Sequence, residues 1–280
     1  MVPMGKKPFK YLKNLVITAL IAYVGICCVL YISQDTLLFH PRLGTKAQLT
    51  SFLQHYPNAD TISFGMSDHN RICTYLIKDS GMIKPPLIIY FGGNAEDVSH
   101  VVSKKKYFPH ASLLLVNYRG YGQSSGSPSE KTMFSDAIGV YDHIVKRLDV
   151  DPEKIVVVGR SIGTGVATYL ASQRPVKAVV LITPYESMRA VASEKYPFVP
   201  IGLLIKHPFE SEKYARQINV PVLALIAAQD AVIPKHHAYK LLESWKGPKQ
   251  FLELEADHHT IMDHKAAWKR MEEFVKEIDN

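Results

Sequence analysis

A continuous β-branched run, Ile155-Val156-Val157-Val158, passes directly into Gly159-Arg160-Ser161-Ile162-Gly163 and then into the small residues Thr164-Gly165-Val166-Ala167. No other segment limits the fold as tightly. An unbroken apolar strand of this kind is buried on both faces, inside a sheet covered by helices on either side. A serine between such a strand and a helix sits in a tight turn. Gly159 and Gly163 frame it because the flanking residues must be small to avoid clashing. The serine hydroxyl also stands at a helix N-terminus, where partial positive charge favours a developing anion. Ser161 is the candidate nucleophile; a purely structural turn is the alternative.

The rest of the chain supplies a matching frame. Leu87–Phe91, Ser112–Asn117, Ala178–Ile182, Val220–Ala227 and Gln250–Leu254 all read as strands. Helical segments separate them. One opens at a capping box in Ser127-Pro128-Ser129-Glu130, with proline in the first turn, and runs to about Leu148. The last runs from about Asp263 to Ile278. Upstream, Thr61–Lys78 reads as a hairpin turning at Ser67-Asp68-His69-Asn70. The alternation predicts an α/β fold with a mostly parallel central sheet and helices on both faces. Residues 184–218 break the rhythm with the proline-punctuated apolar stretch Tyr196–Ile205. That stretch is either a small cap-like excursion lining an apolar pocket or a loop packed on the body.

Leu15–Ile32 holds 18 residues without a charge, near the lower limit for a helix that crosses a bilayer. Lys6, Lys7, Lys10 and Lys13 precede it, and the first 32 residues hold no acid. The positive-inside rule then puts the N-terminus in the cytoplasm. A cleaved signal peptide and a buried core helix are the alternatives, but Cys28–Ser33 offers no small-x-small cleavage site. The expected organisation is a single-pass membrane protein. Residues 1–34 form the cytoplasmic N-terminus and transmembrane anchor; residues 35–280 form one domain on the periplasmic or extracytoplasmic side, joined through a linker over 33–60. Setting the four lysines aside lowers the formal charge from +7 to +3, too little for a nucleic-acid-binding surface. Cys27 and Cys28 lie in the apolar run, so Cys73 alone supports no internal disulfide framework.

An activated serine needs a base, and the base needs an orienting acid. In open α/β sheets such groups gather at the carboxyl ends of the strands. Asp230 follows the strand ending at Ala227 and is the first candidate acid; Glu186, after the strand ending near Thr183, is the second. The base lies in the pair His258-His259 beyond the last strand, with His258 preferred. Other histidines, including His236 and His237, read as surface residues. An oxyanion needs two donors. The Ile162 N–H supplies one, and the Gly92-Gly93-Asn94 turn the other, through Asn94 with Gly93 as fallback. No spacing calls for a metal or a cofactor. The glycines at 120, 122 and 126 resemble a dinucleotide-binding turn, but the capping box starts the next helix beyond them.

Together these residues resemble the α/β-hydrolase superfamily, specifically its membrane-anchored serine hydrolases. The resemblance rests on Tyr90-Phe91-Gly92-Gly93-Asn94-Ala95-Glu96, on Asn117–Glu130 with its Tyr118-Arg119-Gly120-Tyr121-Gly122 core, on the Ser161 turn, on Asp230 in Gln-Asp-x-x-x-Pro, and on the histidine pair. It spans roughly residues 35–275. Gly92 stands where the family usually has histidine. The resemblance implies an α/β-hydrolase fold and hydrolysis of esters, thioesters or, less often, amides, on small-molecule or lipid substrates. A serine peptidase or amidase, and a non-catalytic membrane-tethered binding protein, are the alternatives.

Overall fold

The structure is a computed structural model that describes residues 7–79 and 81–279; Lys6 lies outside them. Helix α1 (Lys7–Leu38) is followed by α2 (Lys46–His55), the hairpin β1 (Ala59–Gly65) and β2 (Arg71–Ile77), β3 (Leu87–Phe91), β4 (Ser112–Val116) and α3 (Glu130–Ile144). The central unit is β5 (Ile155–Arg160), α4 (Ile162–Gln173) and β6 (Ala178–Ile182). Three short helices come next: α5 (Met188–Lys195), α6 (Ile201–Leu204) and α7 (Ser211–Ala215). The chain closes with β7 (Val222–Ala227), α8 (His236–Ser244), β8 (Lys249–Leu254) and α9 (Lys265–Asp279).

The eight strands form one sheet in the order β1-β2-β4-β3-β5-β6-β7-β8. Strands from β4 to β8 pair in parallel, and β1 and β2 are antiparallel at the edge. The order reverses between β3 and β5, where parallel α/β sheets leave a crevice at their carboxyl ends. Alternate side chains feed opposite layers, as a two-residue period requires. Leu87, Ile89, Phe91, Ile155 and Val157 pack with α3, α4 and α8. Ile88, Tyr90, Val156 and Val158 pack with α9 and the 3-10 turns at Val98–Tyr107.

Three sequence expectations shift. Helix α3 is capped by Ser129, with Thr132 completing the box, so Pro128 precedes the cap instead of entering the first turn. It ends at Ile144, short of Leu148. The expected linker is largely structured: α1 continues unbroken past residue 34, Phe39 is buried in the core, and α2 lays Leu49, Phe52 and Leu53 on the second layer. That apolar spacing of three and four is a helical stripe, and Thr45 with Gln48 forms a capping box ahead of it. Helix α8 had no sequence expectation at all.

Candidate active site

Strand β5 ends against Ser161, and the turn into α4 forces Ser161 to φ 51° and ψ −122°. A side chain in this region is strained and persists only where its surroundings over-determine it. Here they do. A Cβ at Gly159 would lie 2.3 Å from the Gly163 carbonyl oxygen, and one at Gly163 would lie 2.3 Å from that of Phe91. Both positions demand glycine. The Ser161 N–H donates to the Ile182 carbonyl at 2.9 Å, tying the turn to β6.

Two loops bring partners to this hydroxyl. His258 Nε2 lies 2.9 Å from Ser161 Oγ, and its Nδ1 lies 2.7 Å from Asp230 Oδ2. Asp230 is held in turn: its Oδ1 accepts the N–H groups of Val232 at 2.8 Å and Ile233 at 2.7 Å. The Asp230 carboxylate accepts a hydrogen bond from the Nδ1–H of His258, which leaves Nε2 as the acceptor for the serine hydroxyl. The histidine loop is fixed by Asp257, whose carboxylate takes the N–H groups of Thr260 and His259, each at 2.8 Å. Those donors, Thr260 first, hold Asp257 below the usual carboxylate range. His258 is buried; His259 is exposed and stands edge-on to it at 5.5 Å. The structure therefore brings His258 to Ser161 and leaves His259 on the rim.

Asn94 and Ile162 line the same cavity as Ser161 and His258. Neither backbone N–H has a hydrogen-bond partner among the described residues, so both are free donors. Gly93 is not: its N–H donates to Glu96 Oε2 at 2.7 Å. A backbone donor already bound to a carboxylate cannot also serve an oxyanion, which removes the fallback assignment.

The sequence reading missed the residues that hold this loop. Buried Glu96 also accepts the Tyr90 hydroxyl at 2.8 Å and the Arg160 guanidinium at 3.0 Å. Arg160 reaches the His258 carbonyl at 3.5 Å, so one side chain joins the donor loop to the histidine loop. The Tyr118 hydroxyl donates to the Gly92 carbonyl at 2.9 Å, and that of Tyr121 donates to the Asn94 carbonyl. Burial pushes Tyr118 well above its ordinary value and Tyr121 up to about 12, which keeps both as donors. Gly120, Gly122 and Gly126 adopt φ of 76°, 53° and 81°, so these glycines build the left-handed turns that carry the tyrosines. Replacing Glu96 by Gln unpairs Arg160 in a buried setting. The expected result is a kcat lower by about 10- to 100-fold with KM changed far less, since small displacements of donors are costly. Steady-state kinetics on p-nitrophenyl acetate checks it, and a kcat within about twofold of wild type removes the positioning role.

Glu186 and His237 correct the sequence reading together. Glu186 does not approach His258; both its oxygens face His237 Nδ1, at 2.7 and 2.9 Å. His237 is buried, not a surface residue, and faces Glu186 on one side and Glu194 on the other. Its Nε2 lies 3.3 Å from Glu194 Oε2 without hydrogen-bonding geometry, and His236 Nε2 lies 2.7 Å from the same oxygen. Among the described residues, Glu194, His236 and His237 form the cluster whose atoms are close enough to hold a metal ion, and none of the three lines the cavity that holds Ser161.

A cavity of about 440 Å³ opens over Ser161. Met188, Val191 and Leu204 from residues 184–218 line one side, and Leu30, Tyr31 and Leu37 from α1 line another. The excursion thus does line an apolar pocket, and α1 shares in it.

Residues 85–200 match the model of a family described as the alpha/beta hydrolase fold. A Mycobacterium tuberculosis protein is 27% identical over 98% of both chains. The alpha/beta hydrolase domain-containing protein WAV2 of Arabidopsis thaliana is 29% identical, covering 61% of each chain. The human protein ABHD12B is 33% identical over 56% of this chain and 49% of its own. Among solved structures, acetyl xylan esterase 1 from Thermoanaerobacterium superposes with a TM-score of 0.66 at 17% identity, covering 79% of this chain and 84% of that one. A Pyrococcus furiosus esterase gives 0.65 at 16% identity, covering 87% and 98%. Sheet order, turn geometry and these likenesses agree that the chain has the α/β-hydrolase fold.

Proposed function

We propose that the protein is a serine hydrolase that cleaves carboxylic esters or thioesters through an acyl-enzyme. One observation carries this reading: a strained, cavity-facing serine lies 2.9 Å from an imidazole whose other nitrogen meets a buried carboxylate at 2.7 Å. In the first half-reaction Ser161 Oγ attacks the substrate carbonyl carbon as His258 Nε2 takes its proton. Asp230 orients the ring and stabilises its charged form. The N–H groups of Ile162 and Asn94 receive the oxyanion. Collapse expels the alcohol or thiol, which takes the proton from His258. Water then attacks the acyl carbon, with His258 again the base, and Ser161 is released.

The apolar lining favours an acyl chain over a peptide, whose amides would lose hydrogen-bond partners there. That sets the peptidase or amidase reading second. A binding protein has no use for Ser161 held at a backbone cost of about 1–3 kcal/mol. The test is labelling of the full chain by a fluorophosphonate probe, expected in wild type and absent in Ser161→Ala. Labelling that persists in the variant identifies a different nucleophile.

We also propose that α1 anchors the protein and that its catalytic domain is extracytoplasmic. Within Lys10–Leu38 an 18-residue window has a mean hydropathy of 2.6, and only 6% of that window is buried. The lysines precede the apolar run, as the positive-inside rule asks. Alkaline phosphatase fused to the C-terminus in a Gram-negative host is expected to be active. An inactive enzyme fusion beside a fluorescent GFP fusion reverses the orientation.

A further inference from the structure

The helix that is apolar enough to cross a bilayer also walls the cavity over Ser161. Its last turns are bolted to the excursion between β6 and β7. Gln34 Nε2 donates to the Leu204 carbonyl at 2.7 Å, and its Oε1 accepts the Lys206 N–H at 2.8 Å. Asp35 meets His207 at 2.7 Å and Lys206 at 3.6 Å. This polar belt follows directly on Ile32, the end of the uncharged run. The Lys206 ammonium lies 4.7 Å from the centre of the Tyr31 ring, a tyrosine–lysine pairing suited to the headgroup level.

A second bond lies deeper. The Tyr23 hydroxyl donates to the Phe198 carbonyl at 2.8 Å. Tyr23 precedes Ile32 by nine residues, about 13 Å along a helix at 1.5 Å per residue. The hydrocarbon core of a bilayer is about 30 Å thick. If α1 spans the bilayer, the loop carrying Phe198 therefore reaches well into one leaflet. Its side chains suit that place: Phe198 is 86% exposed and Leu203 is 87% exposed. Apolar residues so exposed beside an apolar helix face share its solvent.

We propose that the tip of the excursion, Phe198 to Leu203, is embedded in the leaflet from which α1 emerges into the catalytic domain. The cavity then opens to lipid between α1 and the excursion, with Ser161 near the headgroup plane. Substrate enters sideways, acyl chain first. At about 440 Å³ the cavity is at the lower end of ligand pockets, sized for one chain, so the class is single-chain acyl esters or thioesters of membrane amphiphiles. The substrate class rests on the hydrolase reading; the insertion rests instead on α1 spanning the bilayer.

The two are tested separately. The native tryptophans, Trp245 and Trp268, are buried in the body of the domain. Full-length Phe198→Trp is reconstituted in phosphatidylcholine vesicles brominated at mid-chain. Its added emission is expected to be blue-shifted and strongly quenched, while wild-type emission changes little. Unquenched added emission in folded Phe198→Trp overturns the insertion. In a second arm, Phe198→Asp/Leu203→Asp is expected to lower kcat/KM on a vesicle-embedded monoacyl ester by about tenfold or more, with p-nitrophenyl acetate hydrolysis unchanged, because aspartate is strongly disfavoured in hydrocarbon. Equal activity on both substrates overturns lateral entry. Loss of p-nitrophenyl acetate turnover in wild type would instead remove the hydrolase reading, leaving the quenching arm to decide insertion alone.

Discussion

Replacing Ser161 by Ala is expected to lower kcat/KM on a p-nitrophenyl ester on the order of 10⁵-fold, which is about 7 kcal/mol of transition-state stabilisation. In the proposed mechanism the hydroxyl is the attacking atom, and the alanine variant can use only free donors and bound water. His258→Ala is expected to cost nearly as much, and the double variant little more, because the two groups act as one unit. Asp230→Asn keeps the shape but turns a proton donor toward Nδ1. That favours the wrong tautomer, with an expected loss on the order of 10⁴-fold. His259→Ala is the informative comparison. It stands on the rim, exposed and 5.5 Å from the His258 ring, so activity within a few-fold of wild type is expected. A collapse in His259→Ala, with His258→Ala still active, would transfer the base to the neighbouring residue.

Gly163→Ala should destabilise the fold more than a usual core enlargement. The added methyl would sit 2.3 Å from the Phe91 carbonyl oxygen and 2.6 Å from that of Gly92. Both contacts are backbone, so no rotamer relieves them. Overpacking of ordinary side chains costs about 1–3 kcal/mol, and a rigid contact belongs at or above that upper end. At about 2–4 °C per kcal/mol in a chain of this size, Tm should fall by roughly 6–12 °C. The relief available is a shift of the strand end that carries Gly92, Gly93 and Asn94, so kcat should fall further than stability alone explains. Gly65→Ala is the control, since a Cβ there meets nothing within 4 Å. Unchanged melting of Gly163→Ala by calorimetry in detergent would show that the turn is looser than its geometry implies.

The candidate site was legible where chemistry and local geometry coincide in a few adjacent residues. The Gly159–Gly163 pattern names its serine because the turn itself excludes side chains. Asp230 and His258 were legible by position, each just beyond the carboxyl end of a strand. Choosing between His258 and His259 needed the loop pinned by Asp257, which decides which ring faces inward. His237 and Glu186 misled the sequence reading for a related reason. Burial of one histidine in an adjacent pair depends on which ring the helix turns inward, and here α8 turns in His237.

The local sequence by itself settled the strand runs, the parallel α/β architecture, the tight turn at Ser161 and the apolar reach of α1. Those follow from side-chain volume, β-branching and periodicity within a few residues. Only the tertiary structure assigned Glu96, Arg160, Tyr118 and Tyr121 to the support of the donor loop, and only it put the end of α1 beside the cavity. These contacts join residues far apart in the chain. No spacing rule reaches across such separations, because the packing of whole layers sets which loops meet.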